Sequence, residues 1–420
     1  MMKGLVILTC ALALAFQMSA QNYAEMIKAN PAMGAANLMN YHFEKTEYTR
    51  APKGYKPFYI SHYGRHGSRY DSKSDNMDAI WPVMRKADSL GILSDAGKAF
   101  YKDFDAVMKE QTGMVGMLTS LGASEHRQIA ERMAENFPEV FRRKDGADII
   151  FCQSSDVPRC IMSMTNFVHS LDRKVGDLDF VFVTGEKYYD VLAYHPHPRT
   201  AYIMAGTKES DQRRAVMRPM DIVSHFFSDV QKASEIIGDP YIFEQRLYLA
   251  SSVGHLSDYG VCLLAHFPHD ILVRNWEIRN PRFFLAYGMS NEMSEYQKQV
   301  SRVLLADFLK RADDALEHGN GVAADLRFGH DTGLLPLVGH IAIEGMDNWA
   351  AFSEVNSVWN ASVSICMASN LQMVFYRNKK NDVLVKLLYN EKETTIPALK
   401  TFSGPYYRWS DLKAYLTGLL

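Results

Sequence analysis

One short string concentrates the reactive side chains of this sequence: Gly64-Arg65-His66-Gly67-Ser68-Arg69. Two arginines flank a histidine, and the glycines let backbone approach a ligand closely. The planar guanidinium fork suits phosphate oxygens. An imidazole set between such cations is kept neutral by their charge and is a candidate nucleophile toward phosphorus. A second string, Ser154-Ser155-Asp156-Val157-Pro158-Arg159, puts Arg159 in what reads as the first turn of a helix. There the helix N-terminus itself favours an anion. A third string, Gly329-His330-Asp331-Thr332, offers a histidine that can donate to a phosphoryl oxygen and a carboxylic acid that can protonate a leaving alkoxide. Each piece also has an ordinary reading: a solvated basic turn, a surface arginine, a helix-capping aspartate.

The elements around these strings share one pattern. Apolar runs at 57–63, 147–152 and 322–328 read as strands, each leading into a polar or glycine-containing turn and then into helical periodicity. In sheets of this kind ligands sit beyond the carboxyl ends of the strands, and all three turns lie at that end. Ser124 is expected to cap a helix through Ile129, Met133 and Phe137 that Pro138 ends. Asp156 is expected to cap another that opens near Pro158 and continues through Ile161, Met164, Val168 and Leu171. Residues 296–316 read as a long amphipathic helix, and 362–377 with 382–389 as two further strands, a hairpin. The expected fold class is α/β: a central, mainly parallel sheet flanked by helices, with a smaller, mainly α-helical inserted domain. The boundaries drawn are 21–171 and 292–420 for the core and 172–291 for the insert.

Arg-His-Gly-x-Arg after a strand, a later arginine at a helix start and a late His-Asp pair together resemble the histidine acid phosphatase branch of the histidine phosphatase superfamily. That branch includes phytases and multiple inositol polyphosphate phosphatases. The match in order and spacing covers residues 57–340, and 283–288 with the helix after it also resembles the family. The resemblance implies that His66 is the nucleophile and forms a phosphohistidine. It implies that Arg65, Arg69, Arg159 and His330 clamp the phosphoryl oxygens and that Asp331 protonates the leaving group. Water then attacks the phosphohistidine, and neither a metal nor another cofactor is called for. Two departures stand out. Asp71 occupies the place of a common family proline, and His330-Asp331 replaces the His-Ala-Glu of many inositol polyphosphate phosphatases. The implied function is an exported phosphomonoesterase acting on inositol polyphosphates such as phytate. A broad-specificity acid phosphatase for sugar phosphates and other small esters is one alternative, and a non-catalytic phosphate-binding protein is another.

Composition narrows the field further. The chain has 420 residues, 46 Lys+Arg against 48 Asp+Glu and a net charge of -2, with 47% hydrophobic and 22% charged residues. These are globular proportions without the basic excess of a nucleic-acid binder, so the expected partner is a small phosphate ester. Lys3, the apolar run 5–16 and the small residues before Gln21 read as a signal peptide over 1–20, too short to span a bilayer, which needs roughly 20 apolar residues. The mature protein is expected to be soluble and periplasmic or secreted. Export leaves Cys152, Cys160, Cys262 and Cys366, for which three disulfide pairings are open. His195-Pro196-His197 and His266-Phe267-Pro268-His269-Asp270 lack a metal partner set and read as structural. Asn360-Ala361-Ser362 matches a glycosylation acceptor by coincidence, and Arg142-Arg143-Lys144 and Lys379-Lys380 read as solvated faces. An acidic to mildly acidic optimum is expected, because His66 must be neutral while Asp331 holds a proton.

Overall fold

The computed structural model describes residues 23–142, 149–194, 222–290, 294–317, 321–347 and 349–420, with a few positions between 208 and 216. The expected signal peptide, Arg143-Lys144 and His195-Pro196-His197 lie outside the described residues. The strands are β1 (Lys56–Arg65), β2 (Ile149–Ser154), β3 (Asp179–Thr184), β4 (Val322–Gly329), β5 (Asn370–Arg377), β6 (Val383–Tyr389), β7 (Lys392–Thr394) and β8 (Tyr406–Arg408). They form one sheet in the order β3-β2-β4-β1-β5-β6-β7, with β8 on β6. The first four are mutually parallel; β5 to β8 extend the sheet antiparallel, β5 and β6 as the expected hairpin.

The longer helices are α1 (Asp75–Ser89), α2 (Asp95–Gln111), α3 (Ser120–Asn136), α4 (Pro158–Val175), α5 (Pro240–Ser251), α6 (His269–Tyr287), α7 (Ser294–Glu317), α8 (Asp331–Ile341) and α9 (Trp409–Thr417). Strand alternation sorts the core into two faces. On β5, Leu371, Met373 and Phe375 join a cluster with residues of α1, α2, α5, α6, α7, α8 and α9. Val374 and Tyr376 face the other way, toward a cluster with α3 and α4. The β4 strand buries Asp325 and Arg327, and α7 answers both charges one turn apart. Asp307 holds Arg327 at 2.7 Å, and Arg311 reaches Asp325 at 2.8 Å. Tyr59 also donates to Asp325 at 2.7 Å, so the buried charges are paired and hydrogen-bonded.

Several local expectations change. Thr119, not Ser124, caps α3, accepting from the Gly122 amide. Val157 occupies the N-cap position of α4 without a side-chain cap, and Asp156 instead accepts from the Tyr189 hydroxyl. The strand expected from 362 begins only at Asn370; Ala361–Ser364 is a short helical turn. β3 lies beyond residue 171 yet pairs with β2, so the sheet takes a strand from the stretch read as insert. All four cysteines are free thiols. Asn360 accepts from the Ser362 amide through Oδ1, and its burial leaves its Nδ2 no role as a glycosylation acceptor. Among the described residues no helix is long and apolar enough to cross a membrane.

Two buried histidines make the fold sensitive to acid. His62 and His126 pack against Phe167 and Phe328. Burial pushes both imidazoles down from 6.5 to about 3. The unfolded chain binds these protons below pH 6.5 and the folded chain does not, so the stability is fully present above 6.5 and is lost as pH falls toward 3. Between pH 7 and pH 5 each histidine is expected to remove about 2 kcal/mol from the unfolding free energy. Urea titrations across that range check this, and stability that is flat or rising toward pH 5 refutes it.

Candidate active site

Sheet register brings the three reactive strings to one edge. At the carboxyl end of β1, Arg65 pairs with Gly329 of β4, and Ser154 of β2 pairs with Phe328. The turn amides continue the ladder: His66 N donates to Gly329 O at 2.9 Å and Ser155 N to Phe328 O at 3.2 Å. β5 closes the other side, with Arg65 N on Ser369 O at 2.8 Å. All the residues expected at the site therefore arise from the same end of adjacent parallel strands.

The His66 loop is fixed by side chains from α3 and α4. Glu125 accepts from the Ser68 amide and hydroxyl, both at 2.7 Å, and Ser163 Oγ accepts from the Gly67 amide at 3.1 Å. Gly67 faces the α3 backbone so closely that a Cβ there would lie 2.5 Å from the Gly122 oxygen. Only glycine fits that approach. With its amides so engaged, the loop presents side chains to a ligand.

His66 Nδ1 lies 2.9 Å from its neighbour's carbonyl, Gly67 O. A carbonyl only accepts, so Nδ1 carries the hydrogen and the Nε2 lone pair is free. Burial pushes the imidazole well below 6.5, and Arg159, Arg65 and Arg69 push it further. It is neutral at any pH near physiological.

The three arginines are held on their outer atoms. Arg65, fully buried, donates from Nη1 to Asn37 O and Ile365 O, both at 2.7 Å, and pairs through Nη2 with Asp331 at 2.8 Å. Arg69 Nη1 donates to Tyr70 O at 2.9 Å, and Arg159 Nη1 reaches Gly116 O at 3.4 Å. The Nε atoms of all three are buried without a partner among the described residues. Burial and the neighbouring Arg159 and Arg65 push Arg69 down to about 9, so it remains a cation at neutral pH. Orphaned buried donors of this kind call for an acceptor, and an anion supplies it.

His330 and Asp331 complete the ring. The His330 and His66 rings lie 5.5 Å apart between centroids. Tyr194 stacks on His330 at 4.4 Å, and the Ser155 hydroxyl and Cys160 thiol sit 3.2 Å and 3.5 Å from its Nε2. Burial, with Arg159 and Arg65, pushes His330 down to about 3. For Asp331 burial pushes upward, but Arg65, the Asn37 amide, His330 and Arg69 outweigh it and leave the carboxyl below 3.8. His330 takes the cap position of α8, and Asp331 accepts from the Thr332 amide at 2.9 Å, so it serves the helix end as well.

The fold has known counterparts. The multiple inositol polyphosphate phosphatase of Bifidobacterium longum, solved in complex with inositol hexasulfate, superposes with a TM-score of 0.72 at 21% identity, over 91% of this chain and 97% of that one. The phytase from D. castellii gives 0.69 at 15% identity, over 92% and 84%. The phytase of Hafnia alvei gives 0.55 at 11%, over 88% and 98%. This chain has their fold. The resemblance read from its motifs to the histidine acid phosphatases is met by these neighbours. No family model and no curated protein matches the chain.

Several residues at this site carry no signal of their own in the sequence. Asn37 comes from a 3-10 stretch near the N-terminus and Glu125 from the middle of α3. Arg279 on α6 donates to Asn37 Oδ1 at 3.0 Å. Ser155 lies inside the Arg159 string and Cys160 directly after it, but their side-chain partner His330, in the turn after β4, is invisible there. Asp71 is partly buried beside Arg69, and desolvation pushes its carboxyl up. His266 is committed to Asp103 at 3.0 Å, and no group of three candidate metal ligands collects among the described residues.

Proposed function

We propose that the chain is an exported phosphomonoesterase that hydrolyses inositol polyphosphates by way of a phosphohistidine on His66 Nε2. The observation that carries this reading is a neutral imidazole, fixed in one tautomer by Gly67 O, among three arginines with orphaned buried donors. In the first half-reaction the Nε2 lone pair bonds to phosphorus and the ester P–O bond breaks. The leaving alkoxide takes the proton of Asp331. Arg65, Arg69 and Arg159 hold the charge that spreads over the phosphoryl oxygens. The Ser155 hydroxyl lies within hydrogen-bond reach of His330 Nε2, and in the tautomer where that hydroxyl donates, His330 carries its hydrogen on Nδ1 for a phosphoryl oxygen. In the second half-reaction water attacks phosphorus, gives its proton back to Asp331, and the P–N bond breaks.

Inositol polyphosphates are favoured as substrates because the Bifidobacterium longum neighbour is itself an inositol polyphosphate phosphatase. The signal-like residues 1–20 favour export, and the stretch 172–291, whose described part beyond β3 is mainly helical, is proposed as a smaller domain beside the sheet core. A substrate panel tests the assignment. The kcat/KM for inositol hexakisphosphate is expected to exceed those for glucose 1-phosphate and p-nitrophenyl phosphate. Equal values for all three mark a broad-specificity phosphatase instead, and phosphate binding without turnover marks a binding protein.

A further inference from the structure

Asp331 has four lone-pair positions, two on each oxygen. Oδ2 accepts one hydrogen bond, from Asn37 Nδ2 at 3.0 Å, and lies 2.8 Å from the Arg65 Nη2 cation in an ion pair without hydrogen-bond geometry. Oδ1 receives the Thr332 amide at 2.9 Å and keeps one position open. The orientation of the Asn37 amide is fixed by chemistry. Arg279 Nη2 meets Asn37 Oδ1 at 3.0 Å, and a guanidinium only donates, so the Asn37 NH₂ must face Asp331.

The segment that carries Asn37 is held firmly. Asn37 is 5% exposed, and its carbonyl accepts from Arg65 Nη1 at 2.7 Å. Met39 N donates to Ala36 O at 3.0 Å, and Met367 N to Met39 O at 2.8 Å. Ala36 itself sits at φ 53°, ψ -129°, a conformation that an alanine keeps only when its surroundings impose it. Backbone strain one residue from a side chain aimed at the acid points to function at Asn37.

We propose that Asn37 is a positioning residue for the general acid. Its hydrogen bond to Oδ2 of Asp331, beside the Arg65 cation, keeps the transferable proton on Oδ1, and it links the carboxyl to Arg279 on α6. The inference rests on Asp331 being the acid. The other groups that face Asp331 are Arg65 and Tyr63 from β1, Arg69 from the loop after it, His330 from its own turn and Cys160 from α4.

The test is the pH profile of kcat for Asn37→Ala and Asn37→Asp on two esters, β-glycerophosphate with a poor leaving group and p-nitrophenyl phosphate with a good one. Asn37→Ala is expected to lose about tenfold more kcat on the alkyl ester than on the aryl ester, because a displaced acid matters only where the leaving group needs a proton. Its basic limb is expected to move up by about one pH unit, because a donor to the ionised carboxyl is gone. Asn37→Asp keeps size and the Arg279 contact while placing a second carboxylate beside the first, and is expected to move the limb further. It also carries the test if the alanine variant does not fold. Equal losses on both esters with the basic limb unmoved in both variants mean a purely structural residue and overturn the proposal. Asp331→Asn is the control. If it lacks the leaving-group effect, the assignment of the acid itself fails; if it has that effect and the Asn37 variants do not, only the present inference fails.

Discussion

Replacing His66 with alanine is expected to lower kcat for phosphate esters on the order of 10⁴-fold or more, while phosphate still binds. The nucleophile is the one group in the proposed mechanism with no substitute. Cys160, the thiol beside His330, is pushed up to about 11 by burial and donates to Gly329 O, so it is not a thiolate at working pH. The Ser155 hydroxyl has no base other than the weakly basic His330, whose imidazole lies at about 3. Binding is another matter, because Arg65, Arg69 and Arg159 keep their anchors without His66. Inorganic phosphate is therefore expected to bind the variant and to protect it against heat. The native protein, mixed with labelled substrate and quenched within milliseconds, is expected to retain acid-labile phosphate, and the variant none. A variant within tenfold of native turnover defeats the assignment. So does a native enzyme that turns over without any trapped phosphate.

The chemistry of the site was legible in the sequence because its residues cluster in three strings, each at a strand end marked by glycine or polar turn residues. Their convergence was expected from the strand-end rule and the family resemblance, but the register that sets it was not legible: Arg65 opposite Gly329 and Ser154 opposite Phe328 are facts of pairing. The supporting residues are hidden for a similar reason. Glu125 sits on the buried face of an otherwise ordinary helix, and Asn37 follows a run of alanines, so neither announces a partner 57 or 294 positions away. Strand β3 escaped because it is an edge strand exposed on both faces, without the alternation that marks a half-buried one. Ser124 looked like a cap because the apolar spacing starts after it. The real helix begins earlier, where Gly122 must pass close to Ser68, and that first turn carries packing glycine instead of an apolar stripe.

Replacing Asp331 with asparagine is expected to lower kcat on the order of 10²- to 10⁴-fold for an alkyl phosphate and far less for an aryl phosphate. The sign of the pH effect follows from the charges around it. Burial alone raises the carboxyl, and the lowering below 3.8 comes chiefly from Arg65, with smaller parts from the Asn37 amide, His330 and Arg69. As the groups stand, the neighbouring cations hold the Asp331 carboxyl down and favour its ionised form, which is no acid. A bound phosphate ester places negative charge among Arg65, Arg69 and Arg159 and cancels the field that held the carboxyl down. Burial then dominates, and the pKa climbs toward the working range. The proposed substrate thus creates the acid that its leaving group needs. The basic limb of kcat, which reports the complex, is therefore expected to lie above the free carboxyl's pKa, and Asp331→Asn is expected to abolish that limb. At the acid end His66 remains neutral, because its imidazole lies well below 6.5, and the limit there is stability, as His62 and His126 take up protons on unfolding. Full kcat profiles for both esters, native against variant, decide the matter. An unchanged basic limb in Asp331→Asn, or equal losses on the two esters, would assign the proton to another group.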